Sequence, residues 1–132
     1  MIVLLISDDP RSLELLAFVM HQADFVPLKA NTVEEALVEH EKTPAAAAIV
    51  EGTNTLEELL SVCRELRQAV SVPIVVITPW NDEFSRLELY EAGADDCVDW
   101  PYSPRIIEAR LRILLRLIGA RDPFTHSPFQ CG

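Results

Sequence analysis

The sequence predicts an α/β domain built as a doubly wound parallel sheet, and three observations carry that prediction. Short apolar runs stand at residues 2–6, 45–50 and 72–78, continuous enough for strands buried on both faces. Capping signals and helically spaced leucines follow them. The run at 45–50 (AAAAIV) ends in one carboxylate, Glu51, followed by Gly52. In open parallel sheets the C-terminal strand ends are where ligands and chemistry sit. Glu51 is therefore the position a function must explain.

In chain order, residues 2–6 (IVLLI) are the first strand, ending at Ser7-Asp8-Asp9-Pro10, where Asp9 can cap a helix that takes Pro10 into its first turn. Leu13, Leu16 and Met20 carry that helix to His21. Residues 25–29 are a second strand; Pro27 lacks a ladder donor, which places it at a sheet edge. Thr32 with Glu35 forms a capping box for a helix to Glu41, and Pro44 precedes the alanine-rich third strand. Thr55 with Glu58 opens the next helix, carrying Leu56, Leu59, Leu60, Cys63 and Leu66. Residues 72–78 (VPIVVIT) are the fourth strand. A helix over 82–92 stops at Gly93, a left-handed C′ position. Residues 97–99 are the last strand, and Ser103-Pro104 caps a helix to Ile118 that Gly119 closes. Residues 120–132 (ARDPFTHSPFQCG) have two prolines and no periodicity, and read as a linker or tail. Five strands alternating with five helices make a (βα)5 unit.

At 132 residues, 49% hydrophobic and 24% charged, the chain is one ordinary domain. Its net charge of −10 argues against this piece being a nucleic-acid-binding surface. Cys63, Cys97 and Cys131 lie far apart, outside any metal spacing, and read as reduced thiols of a cytoplasmic protein. His21, His40 and His126 neighbour no nucleophile in sequence and read as solvated. The opening IVLLI is too short for a signal or membrane segment, so no membrane partner is expected.

Gly93-Ala94-Asp95-Asp96, followed by Pro101-Tyr102-Ser103-Pro104, resembles the GADDY…KPF-S-P stretch of response-regulator receiver domains joined to winged-helix DNA-binding domains. The resemblance spans residues 2 to 118. It implies a flavodoxin-like fold with strand order 2-1-3-4-5, a receiver over 1–119, and a linker over 120–132 toward an absent effector. In that family a histidine kinase is the phosphoryl source for an aspartate ending the third strand. Acidic residues after the first strand hold Mg²⁺. A Ser/Thr after the fourth strand and a Lys after the fifth neutralise the transferring group.

Carried onto this chain, the pattern is degenerate. The acidic pair falls on Ser7 and Asp8, with Asp9 adjacent; the acceptor falls on Glu51; the hydroxyl is kept as Thr78. Trp100 replaces the lysine and Cys97 the aromatic switch residue, while Gly52-Thr53-Asn54 shortens the loop after the acceptor. No cofactor is implied beyond a weak Mg²⁺ site at Asp8 and Glu51, because Ser7 lowers the ligand charge. Glu51 reads as a built-in phosphate mimic, as a surface-edge carboxylate left when the chemistry was lost, or as an acceptor forming a glutamyl phosphate. Asp9 reads as a cap or a residual cation ligand, Thr78 as a partner of Glu51 or a strand end, and Trp100 as a packed aromatic or a ligand platform.

Two apolar strips run along the last helix. Ile107, Leu111, Leu114 and Ile118 should face the sheet; Ile106, Ile113 and Leu117 form a second strip beside Arg105, Arg112 and Arg116. With Arg86, Glu91, Asp95, Asp96 and Arg110 these make a mixed-charge, apolar α4–β5–α5 face, which in the winged-helix relatives forms a two-fold homodimer. The expected function is thus an atypical, non-enzymatic receiver, independent of phosphorylation, that dimerises to control an attached DNA-binding domain in transcription. The alternatives are a conventional receiver with weak or non-standard phosphorylation, and a flavodoxin-like adaptor or cofactor binder. Against a cofactor site, the loop Ser7-Asp8-Asp9-Pro10 would repel phosphate.

Overall fold

The structure, a computed structural model, describes residues 1–52 and 54–121, with side chains to 118. Five strands and five helices alternate: β1 (Ile2–Ser7), α1 (Pro10–Gln22), β2 (Val26–Ala30), α2 (Val33–Lys42), β3 (Ala47–Glu51), α3 (Leu56–Ala69), β4 (Ile74–Thr78), α4 (Glu83–Ala92), β5 (Asp96–Asp99) and α5 (Pro104–Arg121). The strands form one parallel sheet in the order 2-1-3-4-5, the flavodoxin-like arrangement. β2, with Pro27 in it, is an edge strand paired only to β1, as a missing ladder donor requires.

Alternation along the strands splits the core between two faces. Val3, Leu5, Ile49 and Ile77 pack under α1 and α5 with Leu16, Met20, Ile107 and Leu111. Leu4, Ile6, Val50 and Val76 pack under α2, α3 and α4 with Ala36, Leu59, Cys63 and Leu89. The alanines of β3 lie in both clusters, consistent with helices approaching from either side. Cys63 and Cys97 are buried, and burial pushes their thiols up to about 12 and about 11, so neither is a nucleophile at neutral pH.

Asp9, Thr32 and Thr55 cap their helices as the sequence predicts, and the structure adds Asp82. Asp9, Thr32, Thr55 and Asp82 each accept a first-turn N–H of the helix behind them. Two expectations change at α5. The helix does not stop at Gly119 but continues to Arg121; a glycine inside a helix costs about 1 kcal/mol and does not end it without a left-handed cap. Ile118, expected against the sheet, is 40% exposed, because the apolar stripe of α5 is covered only through Leu111 and, in part, Leu114. The proposed linker from 122 onward, with His126 and Cys131, lies outside the described residues.

Gly93 has the positive φ (+122°) that its C′ role demands, and a Cβ there would stand 2.6 Å from Arg67 Cβ and Cγ. Arg67 cannot yield freely. Its guanidinium donates to Gly93 O, Val70 O, Val72 O and the Asp95 carboxylate. Gly93→Ala should therefore lower the unfolding free energy by about 1–3 kcal/mol in urea titrations. An unchanged midpoint would show that this corner is not a constraint.

Candidate functional site

β1, β3, β4 and β5 end in Ser7, Glu51, Thr78 and Asp99, so the parallel register brings these side chains to one edge of the sheet. Ser7 stands opposite Glu51 across the β1–β3 ladder. Its Oγ donates to Glu51 Oε1 at 3.0 Å and accepts the Asp9 backbone N–H at 3.2 Å. Both residues are buried: Ser7 is 0% and Glu51 3% exposed. Glu51 is thus not a surface-edge carboxylate; a central strand with helices on both sides encloses it.

Burial is the main cause of a raised Glu51 pKa. The hydrogen bond from Ser7 opposes the shift, and the nearby charges of Asp9 and Asp8 add to it. Glu51 Oε2 is buried without any hydrogen-bond partner, and so is the Tyr102 hydroxyl. Glu51 lies between two cavities. One, of about 90 Å³, opens toward α2 and α3 beside Asp8, Asn54 and Leu59. The other, of about 240 Å³, opens toward α1 and the β5–α5 loop beside Ser12, Leu15, Trp100 and Tyr102.

The remaining predicted residues are not gathered around a phosphoryl position. Asp8 Oδ2 accepts from Asn54 Nδ2 at 2.7 Å, while Asp9 caps α1 by accepting from Arg11 N at 2.9 Å. Thr78 Oγ1 accepts the Trp80 N–H at 3.0 Å and makes no bond to Glu51, so its hydroxyl serves its own turn. Trp100 is 43% exposed rather than packed, and the Trp100–Pro101 peptide is cis. Cys97 lies in the core beneath α4. Among the described residues no three acids, histidines or cysteines converge as a metal-binding group. Ser7 stands in place of an acid and Asp8 is bonded to Asn54, so this edge offers fewer free carboxylates to a hard cation such as Mg²⁺ than the family pattern implies.

On the predicted α4–β5–α5 face, Arg110 pairs with Asp96 at 3.0 Å, and Arg86 bonds Asp99 and Cys97 O. Ile106, Ile113 and Leu117 are exposed there. Two residues belong elsewhere. Arg112 turns toward α1, donating to Ala23 O at 2.8 Å and lying 4.8 Å over the Phe25 ring, because its place on α5 puts it on the α1 side. Asp95 lies at the opposite end of the sheet, accepting from Ile74 N at 2.8 Å and Arg67 at 3.0 Å. The sequence alone does not reveal the Arg67 cluster, the Asn54–Asp8 bond, Ser12 beside the cavity or the burial of the Tyr102 hydroxyl. Only Tyr102 carried a local signal, its place two residues after Trp100.

No protein-family model matches the chain. The chain is 32% identical over 114 residues to the transcriptional regulatory protein BaeR of Escherichia coli, covering 86% of this chain and 48% of BaeR. It is also 32% identical over 114 residues to the sensory transduction protein RegX3 of Mycolicibacterium smegmatis, covering 86% of this chain and 50% of RegX3. The chain spans about half the length of these curated relatives. A crystal structure of a two-component response regulator from Clostridium difficile superposes with a TM-score of 0.78 at 22% identity, over 89% of this chain and 97% of that one; it supports the fold alone.

The buried carboxyl predicts a signed pH effect. With its folded pKa raised above the unfolded value near 4.5, Glu51 favours the folded state below that value, and this contribution is lost as pH rises through the folded pKa. Glu51→Gln, which imitates the protonated form, should gain stability relative to the parent between pH 4 and 8 in urea unfolding. Parallel pH profiles for the two proteins would contradict the shift.

Proposed function

The chain belongs to the receiver domains of response regulators, and from that premise we propose that it is an atypical receiver working without phosphorylation, as a dimerisation module for a DNA-binding effector. The observation that carries this reading is the state of Glu51: buried at the acceptor position, held by Ser7, with no Lys or Arg among its partners. Phosphoryl transfer requires positive charge to neutralise the equatorial oxygens. The position where the family resemblance calls for lysine is Trp100, and one of the two acids that it calls for after the first strand is Ser7. In this reading the module acts with neither Mg²⁺ nor kinase and has no enzymatic activity of its own.

Glu51 is read here as a fixed structural acceptor rather than a phosphate mimic. A mimic must present charge, whereas burial disfavours the charged form of this carboxyl. It must also engage the hydroxyl ending β4, and Thr78 bonds Trp80 instead.

The dimer face comprises α4, β5 and α5. Ile106, Ile113 and Leu117 supply exposed apolar surface, and Arg86–Asp99 and Arg110–Asp96 fix the helices to β5. Among the described residues Glu91 and Arg116 enter no ion pair, and they can pair across a two-fold axis. The effector and its role in transcription are inferred from BaeR, whose printed name is that of a transcriptional regulatory protein and whose length is about twice the matched span. No helix among the described residues is long and apolar enough to cross a membrane. With reduced, buried thiols this supports a cytoplasmic location.

Sedimentation velocity over a concentration series, with and without a small-molecule phosphodonor, tests the reading. The expected result is a monomer–dimer equilibrium that the phosphodonor leaves unchanged and that Ile113→Asp weakens by about tenfold or more. A monomer at every concentration would favour an adaptor. A dimer formed only with phosphodonor would restore the conventional receiver.

A further inference from the structure

Three segments of the α4–β5–α5 face meet at one residue, Arg86 of α4. Its Nε donates to Asn81 O at 3.2 Å, its Nη1 to Cys97 O at 3.4 Å, and its Nη2 to the Asp99 carboxylate. The rigid fork of the guanidinium thus ties the loop before α4 to the middle and the end of β5. β5 is an edge strand, paired only to β4. Side chains meet both backbone polar groups of Cys97: Asp96 Oδ1 accepts the N–H at 2.9 Å, and Arg86 donates to the carbonyl. Arg110 of α5 holds Asp96 in turn, at 3.0 Å. Beside Arg86 lies a cavity of about 240 Å³, lined also by Val98, Ser103, Ile106 and Arg110, so the space between α4 and α5 is open rather than packed.

We propose that Arg86 is a latch: a positioning residue that sets the place of α4, and with it the dimer face, from β5 rather than from the sheet edge that carries Glu51. An exposed ion pair alone contributes little, and the Arg86 and Asp99 side chains are 31% and 55% exposed. The bonds to two backbone carbonyls on separate segments are what position the helix. α4 is pinned at its start as well. Asp82 Oδ2 accepts Ser85 N at 3.0 Å, and the buried Ser85 donates its hydroxyl to Asp82 Oδ1 at 2.8 Å. No side-chain hydrogen bond among the described residues leads from Glu51 toward α4: Glu51 bonds Ser7, and the Thr78 hydroxyl is taken by Trp80 N. Breaking the latch leaves α4 free to shift into the open space beside it, which disrupts the dimer face. The inference deepens the phosphorylation-independent reading, on which it rests, by giving α4 a fixed place that needs no phosphoryl group.

The test follows amide hydrogen exchange and ¹⁵N–¹H shifts of the full 132-residue chain, diluted until it is monomeric. In Arg86→Met, which keeps the stem and removes the donors, the α4 amides should exchange about tenfold or more faster while those of β1 and β3 keep their rates. Arg86→Lys, which keeps the charge without the fork, should speed α4 exchange by about threefold or more; it decides the matter if Arg86→Met does not fold. Glu51→Gln should shift amides at the ends of β1 and β3 and leave those of α4 in place. At higher concentration the Arg86→Met dimer should be weaker by about tenfold or more. Unchanged α4 exchange, faster exchange spread evenly over the sheet, or α4 shifts moved by Glu51→Gln would overturn the proposal. Because exchange is read on the monomer, a parent chain that never dimerises sinks the dimer reading alone. A dimer indifferent to phosphodonor, with α4 exchange unchanged in the variants, sinks the latch alone.

Discussion

The bond from Ser7 Oγ to Glu51 Oε1 is the constraint on which the C-terminal edge of the sheet depends. An acid buried at the end of the central strand is largely removed from water, so a donor from a neighbouring strand stabilises it. Register supplies that donor, because Ser7 is the residue of β1 opposite Glu51. A carboxylate at position 7 would instead set two like charges on adjacent strands in a buried site, and one of them would have to take up a proton. Ser7 and Glu51 are therefore best understood as a pair: the serine that departs from the acidic pattern is what makes a buried glutamate tolerable.

The rest of the edge closes around that pair. Asp8 is drawn off to Asn54 and Asp9 to the start of α1. Thr78 anchors both neighbouring turns, its hydroxyl accepting from Trp80 N and its carbonyl from Trp100 N at 2.9 Å. Each group that could have attended a phosphoryl group has a task within the fold. Among the described residues, one Glu51 carboxylate oxygen and the Tyr102 hydroxyl are buried without a hydrogen-bond partner.

Much of the architecture was legible because local signals agreed with one another. Three caps, the edge proline in β2 and the glycine after α4 each acted through backbone geometry that a short window reveals. The end of α5 was not legible: a glycine terminates a helix only when its φ turns positive, and Gly119 lies inside α5 as Gly93 lies beyond α4. The sequence could place Glu51 at a strand end but not bury it, since burial depends on helices packed over both faces. Nor could it show which way Arg112 and Asp95 point; their partners, Ala23 and Arg67, lie 89 and 28 residues away. Fold is written in local periodicity, whereas the state of a site depends on contacts between distant segments.

The central claim is that this sheet edge no longer accepts a phosphoryl group, and intact mass spectrometry after incubation with a small-molecule phosphodonor and Mg²⁺ tests it most directly. The account predicts an unchanged mass under conditions that fully label an ordinary receiver. A stoichiometric, base-labile adduct mapping to Glu51 would contradict it, and would mean that a buried glutamate with no lysine beside it can still carry out the transfer.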